Sequence, residues 1–240
     1  EGPGVCHHVL VHPPGGIAGG DVLEIEARLD AGTHALVTTP SATRFYRSAG
    51  APAVQRATLQ VADGARLEWL PLETIAYRGC IGENHLSLQL APEAEAMGWD
   101  TLALGLPAAD EPFTHGRFLQ HLELPGHWLE RGRIDAADTR LLDSPLGWAG
   151  RRVLGTLWFA AGRDLAPARR DALLDAARAA VTGSPLAATA GVTSPRGRIV
   201  VVRLLAERVE PAMTLLTAVR AVWRDAAWGL AAEPPRIWRT

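Results

Sequence analysis

Cys6, His7, His8 and His12 crowd soft and borderline metal donors into the start of the chain. Imidazole and thiolate suit nickel, zinc and copper. In an extended strand Cys6 and His8 share a face, because successive side chains alternate. His12 stands roughly 13 Å beyond His8 at about 3.3 Å per residue, so only a bend brings it into the same shell. The cluster therefore reads either as a structural group or as a transient metal site, not as a preformed four-ligand centre.

The next stretch, His12-Pro13-Pro14-Gly15-Gly16-Ile17-Ala18-Gly19-Gly20-Asp21, has the look of a phosphate cradle and fails the test for one. A P-loop needs a lysine after its last glycine, and all 24 basic residues here are arginine. The dinucleotide fingerprint needs glycines at other offsets, opening a helix, whereas Leu23 to Asp30 alternates like a strand. Proline fixes φ and glycine opens conformations closed to other residues. The segment is expected to be a tight, shaped turn whose backbone comes close to something else, with Asp21 at its end.

Two further stretches carry chemistry. Thr38-Thr39-Pro40-Ser41-Ala42-Thr43-Arg44-Phe45-Tyr46-Arg47-Ser48 is rich in hydroxyls, with two guanidiniums flanking two aromatics. Nothing pairs Ser41 with a histidine base, so nucleophilic catalysis has no support. Its hydroxyls are expected to satisfy backbone groups and its arginines to pair with carboxylates, with a partner-binding surface as the alternative. In Leu67-Glu68-Trp69-Leu70-Pro71-Leu72-Glu73-Thr74-Ile75-Ala76-Tyr77, Glu73 follows Pro71 in apolar company, where a buried carboxylate needs a partner or a cation. Asp21 and Glu73 read either as lining of a polar path or as two ordinary salt-bridged acids.

The elements that must position these groups are mostly strands. Leu23, Ile25, Ala27 and Leu29 alternate with Glu24, Glu26, Arg28 and Asp30, a half-buried strand. The pattern recurs at Ala35 and Val37, at Ala57 to Val61, at Leu67 and Trp69, and at Leu86 to Leu90. Asp63-Gly64 between two of these runs is a hairpin signal. Later strands are expected at Phe118 to Leu124, Arg151 to Phe159 and Arg198 to Ala206. Helical spacing appears at Pro167 to Val181 and from Glu210 to Ala231, stopped by Gly229 and Pro234-Pro235. No linker divides residues 1–240, which points to a single, mainly β domain with two helices in its C-terminal half.

A formal net charge of -2 offers no basic field for nucleic acid, and no apolar run is long enough for a membrane helix. Cys6 and Cys80 make no disulfide framework and read as free thiols in a reducing compartment. The lack of lysine and the single asparagine, Asn84, suggest biased base composition more than function.

Taken together, Cys6-His7, His12-Pro13-Pro14-Gly15-Gly16, Gly19-Gly20-Asp21, Thr38-Thr39-Pro40, Phe45-Tyr46-Arg47, Leu67-Glu68-Trp69-Leu70-Pro71 with Glu73, and the terminal Pro235-Arg236-Ile237-Trp238-Arg239-Thr240 resemble the urease accessory protein family UreD, called UreH in some organisms. Arg44 stands where that family often has lysine. Family members usually have strands before the position of Glu1, so part of the N-terminal body is expected to be missing. The resemblance implies a β-helical body of stacked sheets carrying C-terminal helices. It implies a cytoplasmic, non-catalytic scaffold that binds apo-urease and UreF, and through UreF the GTPase UreG, with no nucleic-acid or membrane partner. The cargo would be transient Ni2+, with no tightly bound cofactor, moving through a tunnel inside the protein. Asp21 and Glu73 are then candidate tunnel carboxylates, since a hydrated cation moves more easily past weak oxygen ligands, and Cys6 and His12 a candidate docking point.

Two other readings stand beside it. One is a metal-dependent hydrolase on a β scaffold, with histidine ligands and Asp21 or Glu73 as base. It lacks an H-E-x-x-H or an HxH with a downstream carboxylate, and His34, His85, His115, His121 and His127 are scattered, as surface or loop residues would be. The other is a β-rich interaction module with no metal role.

Overall fold

A computed structural model describes residues 4–12 and 15–239. Pro13, Pro14 and the terminal residues Glu1 and Thr240 lie outside the described residues. The chain forms a β-solenoid of about three turns, with three helices in its C-terminal half.

Each coil lays strands on three faces. The first coil is β1 (Cys6–Val9), β2 (Gly16–Ile17) and β3 (Val22–Leu29). The second is β4 (His34–Thr38), β5 (Thr43–Phe45) and β6 (Ala53–Val61), and the third β7 (Arg66–Leu70), β8 (Thr74–Ala76) and β9 (Ile81–Leu90). Like faces stack in parallel, so Cys6, Ala35, Leu67 and Ala96 stand side by side, as do Leu23, Gln55, Asn84 and Gln120. Beyond these three turns an irregular segment follows, in which β10 (Glu95–Leu106) spans two faces: Glu95 to Gly98 pair with β7, and Leu102 to Leu104 pair with β8. A short β11 (Glu111–Pro112) and β12 (Arg117–Leu124) complete it.

From there the pairing turns antiparallel. β13 (Trp128–Asp135) folds back on β12, and a short α1 (Thr139–Asp143) leads to β14 (Val153–Ala161), which lies against β10. After α2 (Pro167–Thr182), β15 (Ala190–Arg196) and β16 (Ile199–Ala206) extend the same sheet, and α3 (Val209–Trp228) follows. Pro167 stands in the first turn of α2, where its missing N–H costs nothing. Gly229 closes α3 at φ +62, its N–H reaching Asp225 O at 2.8 Å. The two long helices thus fall where helical spacing placed them, and α1 is added.

The mainly parallel sheet has the helices on one side and the solenoid interior on the other. Leu36, Met97, Trp99, Leu157 and Phe159 join Leu173, Leu216 and Trp223 beneath the helices. Leu67, Trp69, Ala96, Trp158 and Ala160 face Leu59, Leu86 and Leu88 inside the solenoid. Being covered twice, β10 is apolar on both faces and shows no alternation to read. Asp63-Gly64 makes no hairpin: β6 and β7 belong to different sheets, and the turn is a solenoid corner with Gly64 at φ +69 stacked on Gly32 at φ +72. A hairpin signal marks only the tight turn, and here the following strand leaves for another face.

The glycine run is the close-packed turn its composition implied. A Cβ on Gly16 would lie 2.7 Å from Arg44 O and would run into the Tyr46 ring, and one on Gly19 would lie 2.8 Å from Ala51 O. The neighbour is the equivalent turn of the next coil, not a ligand. Gly19→Val should therefore destabilise the fold by about 1–3 kcal/mol through overpacking, read as a lower denaturant midpoint. An unchanged midpoint would show that the two turns do not press on each other.

Candidate functional site

On β9, Leu86, Leu88 and Leu90 point inward, and the same alternation brings Asn84 inside. On β12, Phe118, Leu122 and Leu124 do the same for Gln120. Gln55, Asn84 and Gln120 are cross-strand neighbours, forming a row along the solenoid axis. Facing them from β10 is Asp100. Asn84 Nδ2 donates to Asp100 Oδ2 at 2.6 Å, Gln120 Nε2 donates to Oδ1, and Gln55 Nε2 donates to Asn84 Oδ1 at 3.2 Å. Asn84, Gln120 and Asp100 are all buried.

The row continues on the neighbouring strands. Thr156 stands beside Asp100 and Arg203 beside Thr156. Thr156 Oγ1 donates to Glu130 Oε1 at 3.3 Å, and Arg203 Nε donates to Glu130 Oε2 at 2.7 Å. Thus a polar line runs from half-buried Gln55 through a sealed middle to Glu130 and the partly exposed Arg203. Burial pushes the Asp100 carboxyl up to about 6; the amide donors of Gln120 and Asn84 oppose that, and the Glu130 charge adds to it. The interior thus offers oxygen donors and one carboxyl held near its protonation point.

A second polar group lies on the opposite side of the sheet, under α3. Glu68 on β7 is completely buried, with Arg220 Nε donating to its Oε2 at 2.8 Å and Arg224 Nη1 3.4 Å from its Oε1. His34 Nε2 lies 3.2 Å from the same Oε1. Burial works to raise the Glu68 pKa, but the His34 hydrogen bond and the Arg220 and Arg224 charges outweigh it and hold the carboxyl below its ordinary value. Beside this cluster the Glu95 carboxylate receives Arg169 and the Trp228 indole N–H, the latter at 2.8 Å. The terminal turn then packs Trp238 against Trp99, with ring centroids 5.4 Å apart, and Trp238 Nε1 donates to Thr38 Oγ1 at 2.8 Å. These contacts fix the helices and the C-terminal segment to the solenoid.

The residues singled out for metal fall in separate places. Asp21 is exposed, and its Oδ2 accepts the Ala18 N–H at 2.9 Å inside its own turn. Glu73 is half-buried just before β8, and its backbone oxygen accepts the Thr43 N–H. Cys6 and His8 meet on β1, with Sγ and Nε2 3.3 Å apart, while His12 is exposed beyond the strand. Among the described residues no three or more His, Cys, Asp or Glu side chains converge on a metal position. Cys6 is exposed and Cys80 is buried, and both are free thiols.

Other expectations change. His34 is no surface residue, since its side chain is only 8% exposed against Glu68. His85 and His121 lie on neighbouring strands with rings 5.5 Å apart, each held by a glutamate, Glu83 or Glu123. The hydroxyls of Thr38 and Thr39 do satisfy backbone groups, at Leu70 O and Leu72 N. Arg44 and Arg47 have no carboxylate partner among the described residues; Arg44 lies over Gly15 and Arg47 beside Gly79 instead. Asn84, which composition made look incidental, is the middle of the buried row. The reading of the residues missed Glu68 and Asp100 altogether. The pair Arg220 and Arg224, one turn apart on an apolar helix face, was the signal for a buried acid.

Comparison with known proteins adds the family. The description "UreD urease accessory protein" matches residues 1–239. The chain belongs to the UreD family of urease accessory proteins. Among UreD relatives, that of Leptothrix cholodnii is 64% identical over 240 residues, covering 100% of this chain and 86% of its own length. That of Verminephrobacter eiseniae is 60% identical over 238 residues, covering 99% and 86%, and that of Variovorax paradoxus 56% identical over 240 residues, covering 100% and 87%. Each is named "Urease accessory protein UreD". No helix among the described residues of this UreD-family chain is long and apolar enough to cross a membrane.

Proposed function

We propose that this chain is a non-catalytic, cytoplasmic scaffold for nickel insertion into urease. In this reading it binds apo-urease and UreF, meets the GTPase UreG through UreF, and passes Ni2+ toward the urease active site without retaining it. The observation that carries the reading is the match of residues 1–239 to the urease accessory family.

The polar row supports the nickel part chemically. Amide and carboxyl oxygens hold a hydrated divalent cation weakly, so it exchanges from one to the next, whereas a closed thiolate and imidazole shell would trap it. Asp100 near its protonation point gains affinity when it releases its proton and loses it when it takes one back. Asp21 and Glu73 are proposed as further oxygen donors on the cation's route, and Cys6 and His12 as donors near its start.

Two experiments test this. Affinity pull-down after co-expression should recover the chain with apo-urease and with UreF, and recovery with neither would remove the scaffold role. Asp21→Ala and Glu73→Ala should each lower urease activation by about tenfold if a metal-contacting group is lost, while the complex still assembles. Full activation by both variants would show that these two acids lie off the route.

A further inference from the structure

A cavity of about 450 Å³ lies between β1 and β4 on one side and β3 on the other. Its walls include Leu10, Ile25 and Trp69, and Cys6, His8 and His34 line it too. Cys6 and His8 sit there because residues two apart on a strand face the same way. Their partners across the sheet, Ala35 and Val37, are small or apolar, so nothing on β4 competes for either side chain.

The separation of the two donors is informative. With about 2.3 Å to sulfur and about 2.1 Å to nitrogen, a shared metal puts the two donors about 3.1 Å apart at a right angle and about 3.6 Å apart at the tetrahedral angle. The observed Sγ to Nε2 distance, now a hydrogen-bond contact, is 3.3 Å, between these two values. We propose that Cys6 and His8 form a two-donor clip for a borderline cation such as Ni2+ or Zn2+, opening into this cavity. His12 lies beyond the strand and is not one of the two clip donors.

When the sulfur–metal bond forms, the Cys6 thiol gives its proton to solvent, and the imidazole binds as the neutral ring through Nε2. Two protein donors leave the other coordination positions to water or to a partner's side chain. The clip therefore holds a cation that can be handed on, unlike a closed four-ligand site. On the same cavity wall Glu26 is paired with Arg28 at 3.0 Å, which leaves Asp30 as the acid that favours a positive charge there. The clip deepens the nickel reading by placing a donor pair for it, yet metal binding itself is measured without urease.

The test is titration of the whole chain with Ni2+, and separately with Zn2+, with thiols kept reduced by a phosphine. One equivalent of nickel should give a thiolate-to-nickel charge-transfer absorption. Cys6→Ser should abolish the band, and His8→Ala should weaken binding by about tenfold or more through loss of the chelate. His127→Ala, on a remote turn beside Trp128, should bind as the unaltered chain does. A band that survives Cys6→Ser, wild-type affinity in His8→Ala, or no band at all would overturn the clip. Both residues are exposed on an edge strand, and a melting curve shows whether each variant folds. X-ray absorption of the unaltered nickel-loaded chain gives a second measure, since a first shell without sulfur would also refute it. Nickel bound at Cys6 and His8 by a chain that fails to activate urease would sink the delivery reading and leave the clip standing.

Discussion

Glu68→Leu should weaken the fold by about 3–5 kcal/mol, the range for removing one partner of a buried ion pair. The change leaves Arg220 and Arg224, both buried, facing an apolar side chain. Stabilities of native domains are only about 5–15 kcal/mol, so about a fifth or more of the total is at stake. Denaturant unfolding at neutral pH measures it. The reason lies in the charges, so the triple change Glu68→Leu, Arg220→Met, Arg224→Leu should recover most of the loss. The pH dependence has a definite sign. The folded-state pKa of Glu68 is lowered, so its contribution is present above the unfolded-state pKa and is lost as pH falls through the folded one. The gap between Glu68→Leu and the unaltered chain should thus narrow in acid. A loss below about 1 kcal/mol would mean that these arginines find water or other partners when the acid goes.

Asp100→Asn should do the reverse of most core substitutions and raise stability at neutral pH. The folded-state pKa of Asp100 is pushed up to about 6 from 3.8, so the folded chain holds a proton that the unfolded chain releases. Stability is therefore greatest below the unfolded value and falls as pH rises through about 6. At about 1.4 kcal/mol per pKa unit, the penalty reaches about 3 kcal/mol above pH 6. An asparagine carries no such penalty. Asn84 is oriented by Gln55, and Gln120 would accept from the new side chain once its amide turns over from its present donation to Asp100. Relative to the unaltered chain, Asp100→Asn should gain about 2 kcal/mol on going from pH 4 to pH 7, since the unfolded-state acid is already largely ionised at pH 4. Parallel stability profiles for the two proteins would refute the assignment. Where a chain carries a destabilising acid at neutral pH, a functional use for it is the natural explanation. Under the proposed function, Asp100→Asn should accordingly impair nickel activation of urease while assembly persists.

Much of the architecture was readable from period-two alternation, and the reasons for the failures are local. The half-buried strands β3, β6, β9 and β12 announce themselves because one face meets solvent. β10 does not, because helices cover one side and the solenoid core the other. The coil repeat was also hidden. Asp30-Ala31-Gly32, Asp63-Gly64 and Pro92-Glu93-Ala94 make equivalent corners, yet they differ in length and residue type. For the site, attention went to acids beside glycines and prolines, where sequence is conspicuous. Asp21 and Glu73 proved to be an exposed turn residue and a half-buried one. The deeply buried acids were Glu68 and Asp100, each a single charged letter inside an apolar strand. The inward face of β9 and β12 would have exposed the row, since Asn84 and Gln120 keep step with Leu86 and Leu122.

One strand, β10, bears on both polar groups at once. Trp99 points from it into the helical layer and Asp100 into the solenoid interior, one peptide apart, with hydrogen-bonded strands on either side. Such a beam has no joint at which its two faces can slip past each other. A protein gripping α3 or the Trp238 turn would therefore bear on the same strand that carries the carboxyl at the heart of the row.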